Sequence, residues 1–252
     1  MRVRLPAFSL QDMHTTSFPT RRATLLALTL VTLNATSVAA QDASPGARPL
    51  VDLDARIRVE SRSIGADGIT RSSSYEETFM RRGQEVWTQR VIPRQAPVHE
   101  DDKTGHKHLV PHESGRLIGQ HDGKPLMQLI NAHNKVVVSI PAVEFANMGF
   151  DGSWERAYYL ITARELQALP PSSRKSEHPD ASWFEKKGAK ITESVLWDNK
   201  RMVPRVIESS NRQGSQWRRV TVTPHDELAR NIPWSAQATQ AYEKLRHSDF
   251  LD

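Results

Sequence analysis

The sequence contains no cysteine. This absence excludes disulfide bonds, a thiol nucleophile, c-type haem attachment, thiolate metal sites and an acylated lipoprotein cysteine. Glycines are few, 12 in 252 residues, and none of them forms the glycine-rich loop that cradles a nucleotide phosphate. The G-x-S-x-G and H-E-x-x-H motifs are also missing, so no residue pattern names a hydrolytic reaction. We therefore expect a binding protein and not an enzyme.

The N-terminal region has an apolar stretch that is too short and too interrupted to cross a membrane. A transmembrane helix needs about 20 predominantly apolar residues, and ATLLALTLVTLNATSVAA (23–40) is diluted by Thr, Asn and Ser. The stretch follows Arg21-Arg22 and ends in small residues of the kind that signal peptidase reads, so we expect residues 1–40 to be a cleaved signal peptide. The general and twin-arginine export routes both stay open, as do Met1 and Met13 as the start. The expected mature protein is periplasmic, with no membrane-spanning segment.

The precursor's basic character comes mainly from the predicted signal peptide. The whole chain has 34 basic and 29 acidic side chains and a formal charge of +5. Residues 1–40 hold four arginines and one aspartate, so their removal leaves 30 basic and 28 acidic side chains, a formal charge of +2. A nucleic-acid-binding surface needs a clustered basic face, and none is visible. We expect no nucleic acid partner.

Alternating apolar residues and turn residues predict a chain made mostly of short strands. Residues 41–50 read as a flexible tail and residues 51–252 as a single domain. The predicted strands are 55–59, 69–80, 85–92, 116–119, 126–131, 136–140, 191–197, 202–209 and 216–222. Pro204 cannot donate to a ladder, so its strand begins after it or carries a bulge. The predicted helices are 143–146, 153–169 and a closing helix at 233–251, and residues 172–181 read as a polar linker.

Two passages have a recognisable pattern: FMRRGQEVW (79–87) reads as a strand, a charged turn and a strand with Trp, and VLWDNKRMVPRVIE (195–208) reads as a late hairpin. Both resemble passages of the periplasmic outer-membrane lipoprotein-carrier superfamily, which includes related envelope-stress sensor domains. The resemblance implies a mainly β fold with α, an α+β fold. Its antiparallel sheet would be strongly curved and incompletely closed, with helices covering the concave face.

A fold of that kind implies an apolar cavity that takes acyl chains. A curved sheet that is only partly filled by helices leaves a concave space, the usual place for a ligand. The candidate residues for lining this cavity are Tyr75, Trp87, Val195 and Trp197. The partners to expect are a lipid, a lipoprotein or another envelope protein. A structural or interaction protein with a filled core is the alternative.

Histidines cluster in the loop between the two halves of the predicted sheet. His99, His106, His108, His112 and His121 fall within 23 residues, beside several carboxylates. Neutral imidazoles with nearby carboxylates suit Zn²⁺ or Cu²⁺, so His99, His106, His108 and His112 are candidate ligands of an envelope metal-binding accessory protein. A solvated loop that binds nothing explains the same residues, and otherwise we expect no cofactor.

Overall fold

The computed structural model of the chain describes residues 48–92 and 113–250. Strands dominate this part of the chain, and its helices are short. The strands are β1 (Leu53–Ile64), β2 (Thr70–Arg82), β3 (Glu85–Arg90), β4 (Gly115–His121), β5 (Lys124–Asn131), β6 (Val136–Ile140), β7 (Ala181–Lys187), β8 (Ile191–Asp198), β9 (Val203–Asn211), β10 (Gln216–Pro224) and β11 (Glu243–Arg246). The α-helices are α1 (Trp154–Tyr159), α2 (Ala163–Gln167) and α3 (Ala236–Thr239), and 3₁₀ turns cover Ala142–Glu144 and His247–Phe250.

The described strands form one 11-stranded sheet in the order β11-β6-β5-β4-β3-β2-β1-β10-β9-β8-β7. The end strands β11 and β7 do not pair with each other, so the sheet is not closed. The prediction of a mainly β fold with some helix and an unclosed sheet is confirmed. The sheet is not wholly antiparallel, however, because β11 runs parallel to β6.

The nine predicted strands are all present, with bounds that differ by a few residues, and β7 and β11 were missed. Trp183 and Phe184 of β7 are adjacent bulky residues that face opposite sides of the sheet, which hides the period-2 pattern. On the outer side of β7, Pro171 bridges to Phe184. The polar linker predicted over residues 172–181 therefore leads directly into an edge strand.

The predicted closing helix at 233–251 is wrong. Of the described residues 233–250, only α3 is α-helical; it is capped by the Ser235 hydroxyl, and the chain continues as β11. Tyr242 and Leu245 pack against different core clusters. In the predicted helix both would lie on the same apolar face and contact the same cluster. Pairing with β6 also satisfies backbone groups that a free sheet edge would leave unpaired, and the backbone N–H of Glu243 donates to the carbonyl of Lys135 at 2.9 Å.

The single helix predicted over 153–169 is also wrong, because two short helices occupy this range. Leu160 ends α1 in the left-handed region with φ 61°. Thr162 then begins α2 with a capping box, in which its side chain accepts from the Glu165 N–H and the Glu165 carboxylate accepts from the Thr162 N–H. This S/T-x-x-E signature starts a new helix, and the apolar spacing alone did not reveal the break.

Different segments of the chain pack on the two sides of the sheet. On β1, Ala55, Ile57 and Val59 face the side on which residues of α1 pack, which we call the helix face. Asp54 and Arg56 point to the opposite side, since alternate strand residues do. We call that side the strap face, because residues 225–242, the strap, contact it.

The β8–β9 pairing shifts register where Pro204 enters the sheet. Leu196 pairs with Val206, but Trp197 pairs with Pro204, which leaves Arg205 as the extra residue. A β-bulge accommodates a residue without a backbone N–H. The predicted bulge at this strand is confirmed.

The strap contacts the sheet through a hydrogen bond to Asp54, an aromatic stack on Trp87 and a hydrogen bond from the Trp234 indole N–H to the Glu85 carboxylate at 2.7 Å. Asp54 accepts from both Nη atoms of Arg82 at 2.6 and 2.9 Å and from the backbone N–H of Ala229 at 2.5 Å. Further along, the Trp234 ring stacks on Trp87 with centroids 5.6 Å apart. Gly115 makes room for Trp87, because a Cβ there would overlap the indole ring.

A fully buried arginine ties three elements together on the helix face. Arg81 of β2 has no exposed surface. Its Nη1 donates to the carbonyl oxygens of Tyr158 and Met202, both at 3.1 Å, and its Nη2 donates to that of Arg201 at 2.7 Å. Its guanidinium also lies 4.6 Å from the Tyr158 ring centroid. Burial lowers the pKa of Arg81 to about 10, and no carboxylate among the described residues pairs with it.

We predict that Arg81→Met lowers the free energy of unfolding by about 3 kcal/mol, because it leaves three carbonyl groups without their donor in a buried place. Urea denaturation would measure the change. Arg218→Met is the matched control, an exposed arginine whose loss should cost less than about 0.5 kcal/mol. Equal midpoints for the two variants would show that Arg81 does not hold these elements together.

Candidate functional site

A pocket of about 140 Å³ opens on the helix face between β2 and β5. The strand register explains why these residues lie together. Glu77 of β2 is directly opposite Arg90 of β3 in the ladder, and Thr88, Arg116 and Leu129 lie in one row across β3, β4 and β5. The lining residues are Glu77, Thr88, Arg90, Ser114, Arg116, Met127, Leu129 and Met148. The pocket therefore joins a charged side, from β2–β4, to an apolar side, from β5 and the turn after Ala142–Glu144.

The floor of the pocket is apolar. Met127 and Leu129 are buried members of the core cluster around β5 and β6. Met148 packs against the same cluster and is half-buried. Its position is set by a turn, in which its N–H donates to the carbonyl of Glu144 at 3.0 Å. Methionine side chains are flexible and polarizable and adapt to irregular apolar groups, so this floor suits a hydrocarbon group of variable shape.

The rim of the pocket carries two cations and one anion. Arg116 donates from Nε to the Thr88 hydroxyl at 3.3 Å. The Arg90 guanidinium is exposed and lies 4.4 Å from the centroid of the Tyr75 ring. Glu77 makes no ion pair with another described residue. An anionic group that enters the pocket would meet guanidinium donors, which bind carboxylates and phosphates through paired N–H groups.

The four predicted cavity residues do not line one space. Tyr75, Val195 and Trp197 belong to the helix face. The Tyr75 ring contacts the guanidinium of Arg90, which lines the pocket. Trp87 pairs with Met80 and faces the strap, where it stacks on Trp234. Trp87 therefore lies on the opposite side of the sheet from Tyr75, because its strand phase is opposite.

The space beside Val195 and Trp197 is filled by protein. Both residues are buried in the core cluster that contains Tyr159. Arg48 covers this region, with its guanidinium 5.1 Å from the ring centroids of both Tyr159 and Trp197. Its Nη1 also donates to the carbonyl of Ile161 at 3.0 Å. This part of the helix face is a packed core, and Arg48 lies against it.

The predicted metal ligands His99, His106, His108 and His112 lie outside the described residues. His121 is described, and its exposed ring is 3.3 Å from the carboxylate of Asp122. In residues 48–92 and 113–250, no group of three or more His, Asp or Glu side chains is placed to hold a metal ion. No helix in these ranges has the length and apolarity to cross a membrane.

Sequence reasoning missed the charged side of the pocket. The turn at Gly83 joins β2 to β3, and counting outward from it along a hairpin places Glu77 opposite Arg90. The position of Glu77 opposite Arg90 could therefore have been predicted from the sequence. The position of Arg116 beside Thr88 depends on the pairing of β3 with β4, which a long connection separates in sequence.

No family model and no curated protein sequence matches the chain. Solved structures give distant likenesses. The chain is 13% identical to an outer membrane lipoprotein-sorting protein domain from Vibrio parahaemolyticus, covering 74% of this chain and 91% of that one, with a TM-score of 0.31. For the LolA superfamily protein NE2245 from Nitrosomonas europaea the figures are 8% identity, 73% and 89% coverage and a TM-score of 0.33.

The MucA/MucB complex from Pseudomonas aeruginosa is 6% identical, with 70% of this chain and 54% of that chain covered and a TM-score of 0.34. One of these names is that of the superfamily that the two sequence passages resemble. Because each TM-score is below 0.5, we draw the site and its chemistry from this chain's own strands and side chains.

The buried tyrosines of the helix face contribute stability that depends on pH. Burial raises the pKa values of Tyr75, Tyr158 and Tyr159. The folded protein therefore holds these phenol protons to a higher pH than the unfolded chain does. The stability linked to them is fully present below the unfolded pKa of about 10 and is lost as the pH rises through the folded values.

Arg81 acts in the opposite direction over the same range, because its lowered pKa makes the folded state bind fewer protons than the unfolded chain. We therefore predict the tyrosine contribution as a difference between variants: above about pH 10, in step with the absorbance of tyrosinate, the urea midpoint of the native protein falls relative to that of Tyr75→Phe. This variant keeps the ring and removes one titrating hydroxyl. An unchanged slope in Tyr75→Phe would contradict the role given to this tyrosine.

Proposed function

We propose that the protein is an exported carrier or sensor of the cell envelope that binds an amphiphile at the pocket on the helix face. The ligand has an apolar group, such as the acyl chain of a lipid or lipoprotein, and an anionic group near it. The observation that supports this proposal is the joining of an apolar floor, from Met127, Leu129 and Met148, to the guanidinium groups of Arg90 and Arg116. Neither half alone would favour an amphiphile.

The size of the pocket limits what enters it. A buried apolar cavity of about 150 Å³ holds one benzene molecule, and pockets for drug-sized ligands have about 300–1,000 Å³. At about 140 Å³, the pocket accepts one end of an acyl chain or one apolar side chain of a partner protein. A complete acyl chain would require more space between the helices and the sheet than this pocket has.

The proposed function also requires a particular shape of the sheet. We propose that the sheet curves strongly, that α1 and α2 cover its concave face, and that the pocket is the open end of the space beneath these helices. Trp154 favours this arrangement, because it packs against both helix-face core clusters and its indole N–H donates to the Gln84 carbonyl at 2.9 Å. The expected export signal and the near-neutral mature charge agree with a role in the envelope.

We predict that the native protein binds a fluorescent fatty acid and that two variants bind it more weakly. Met148→Glu places a carboxylate on the floor and should weaken binding about tenfold or more, since it removes apolar burial and repels the anionic head. Arg90→Gln should weaken binding about two- to fivefold, because an exposed ion pair contributes up to about 1 kcal/mol. Displacement of the probe by unlabelled fatty acid would measure both affinities.

A neutral alcohol of the same chain length separates the two contributions. It should lose affinity with Met148→Glu and be insensitive to Arg90→Gln. Arg164→Gln, which removes an exposed arginine of α2, is the control and should bind like the native protein. Native protein that binds no probe, or variants that bind it equally well, would refute the proposal and favour an interaction protein whose core is filled.

A further inference from the structure

A second, larger space lies on the other side of the sheet from the pocket. A groove of about 590 Å³ is lined by residues 60–62 of β1, residues 72–74 of β2 and Trp217 of β10. It lies at the end of β1 remote from the strap, which is anchored at Asp54 near the start of the same strand. Its volume falls within the range of about 300–1,000 Å³ that is usual for small-ligand sites.

Strand register arranges the groove as two rows on the strap face. The first row runs across the sheet from Trp217 to Arg62 to Ser72. The second row lies beside it and runs from Arg219 to Glu60 to Ser74. An aromatic ring thus stands at one end, with guanidinium, carboxylate and hydroxyl groups next to it on a rigid sheet.

Trp217 differs from the other tryptophans of the chain. Five of the six pack in or against the core clusters on the two faces; they are Trp87, Trp154, Trp183, Trp197 and Trp234. Trp217 belongs to none of these clusters and is only half-buried. An indole held at the surface by a strand, away from any core, offers a flat apolar face with a polar N–H at its edge.

Among the described residues that line the groove, Arg62 is a cation without an ion-pair partner. The Glu60 carboxylate is 3.1 Å from Arg58, and Arg219 is 3.3 Å from Glu208. Arg62 makes no ion pair with any described residue, and its side chain is exposed. Its guanidinium can therefore pair with a carboxylate of a ligand through two parallel N–H groups.

We propose that this groove binds an acidic saccharide. A sugar ring has one face of C–H groups, which stacks on an indole, and a rim of hydroxyl groups, which exchange hydrogen bonds with serine hydroxyls that both donate and accept. Trp217 supplies the stacking surface, Ser72 and Ser74 contact the rim, and Arg62 pairs with the acidic group. This site is separate from the amphiphile pocket and does not depend on it.

The test uses the exported protein and isothermal titration calorimetry with three probes. Tri-galacturonate carries sugar rings and carboxylates, its methyl ester carries the rings alone, and tri-glutamate carries the carboxylates alone. We expect tri-galacturonate to bind most tightly, about three- to fivefold tighter than its ester, because of the charged pair with the exposed Arg62. We expect tri-glutamate not to bind.

Variants assign the two contributions. Trp217→Ala should abolish binding of both saccharides, and Trp217→Phe, which keeps an aromatic ring, should retain part of it. Arg62→Gln should reduce the affinity for tri-galacturonate to that for the ester. Thr223→Ala, an exposed residue of β10 outside the groove, should bind like the native protein.

The proposal is overturned if the native protein binds neither saccharide, or if Trp217→Ala and Trp217→Phe both bind like it. Binding of tri-glutamate as tight as that of tri-galacturonate would also overturn it, because the groove would then be a general anion surface. Equal binding of acid and ester would refute the role of Arg62 and the preference for an acidic sugar.

Discussion

The guanidinium of Arg81 joins the two sequence passages on which the resemblance rests. Arg81 lies in FMRRGQEVW, and two of its acceptors, the carbonyls of Arg201 and Met202, lie in VLWDNKRMVPRVIE. The third acceptor is the carbonyl of Tyr158 in the last turn of α1, where the helix dipole favours a cation. A charge without a carboxylate partner is costly to bury. It is tolerated here because it crosslinks β2, the β8–β9 turn and α1, and so fixes the helix against the sheet.

An open sheet of this size needs cover on both faces and protection at both edges. The helix face is covered by short segments rich in aromatic residues, with Tyr158 and Tyr159 in edge-on contact. The strap covers part of the other face through Trp234 and then supplies β11 at one edge. The groove beside Trp217 lies at the end of β1 remote from the strap, away from this cover.

Local patterns predicted most of the sheet, because a hairpin needs only a turn and two alternating strands. The turns at Gly83, Gly123 and Gly214 are of this kind, each with a glycine at positive φ. The predictions that failed depended on contacts between segments that are not neighbours in the sequence. The pairing of β11 with β6 and the bridge from Pro171 to β7 join distant segments, and Leu160 takes a left-handed conformation that its residue type does not announce. The pocket was missed for the same reason, since Arg116 meets Thr88 only after β3 and β4 pair.

The central functional claim is that an apolar chain enters between β5 and the turn at Met148. Photo-crosslinking tests it most directly, with a fatty acid that carries a diazirine at the end of its chain and peptide mapping of the labelled protein. The account predicts saturable labelling of Met127, Leu129 or Met148, reduced by excess unlabelled fatty acid. Labelling confined to Trp87 and Trp234 on the strap face, or no saturable labelling, would contradict it.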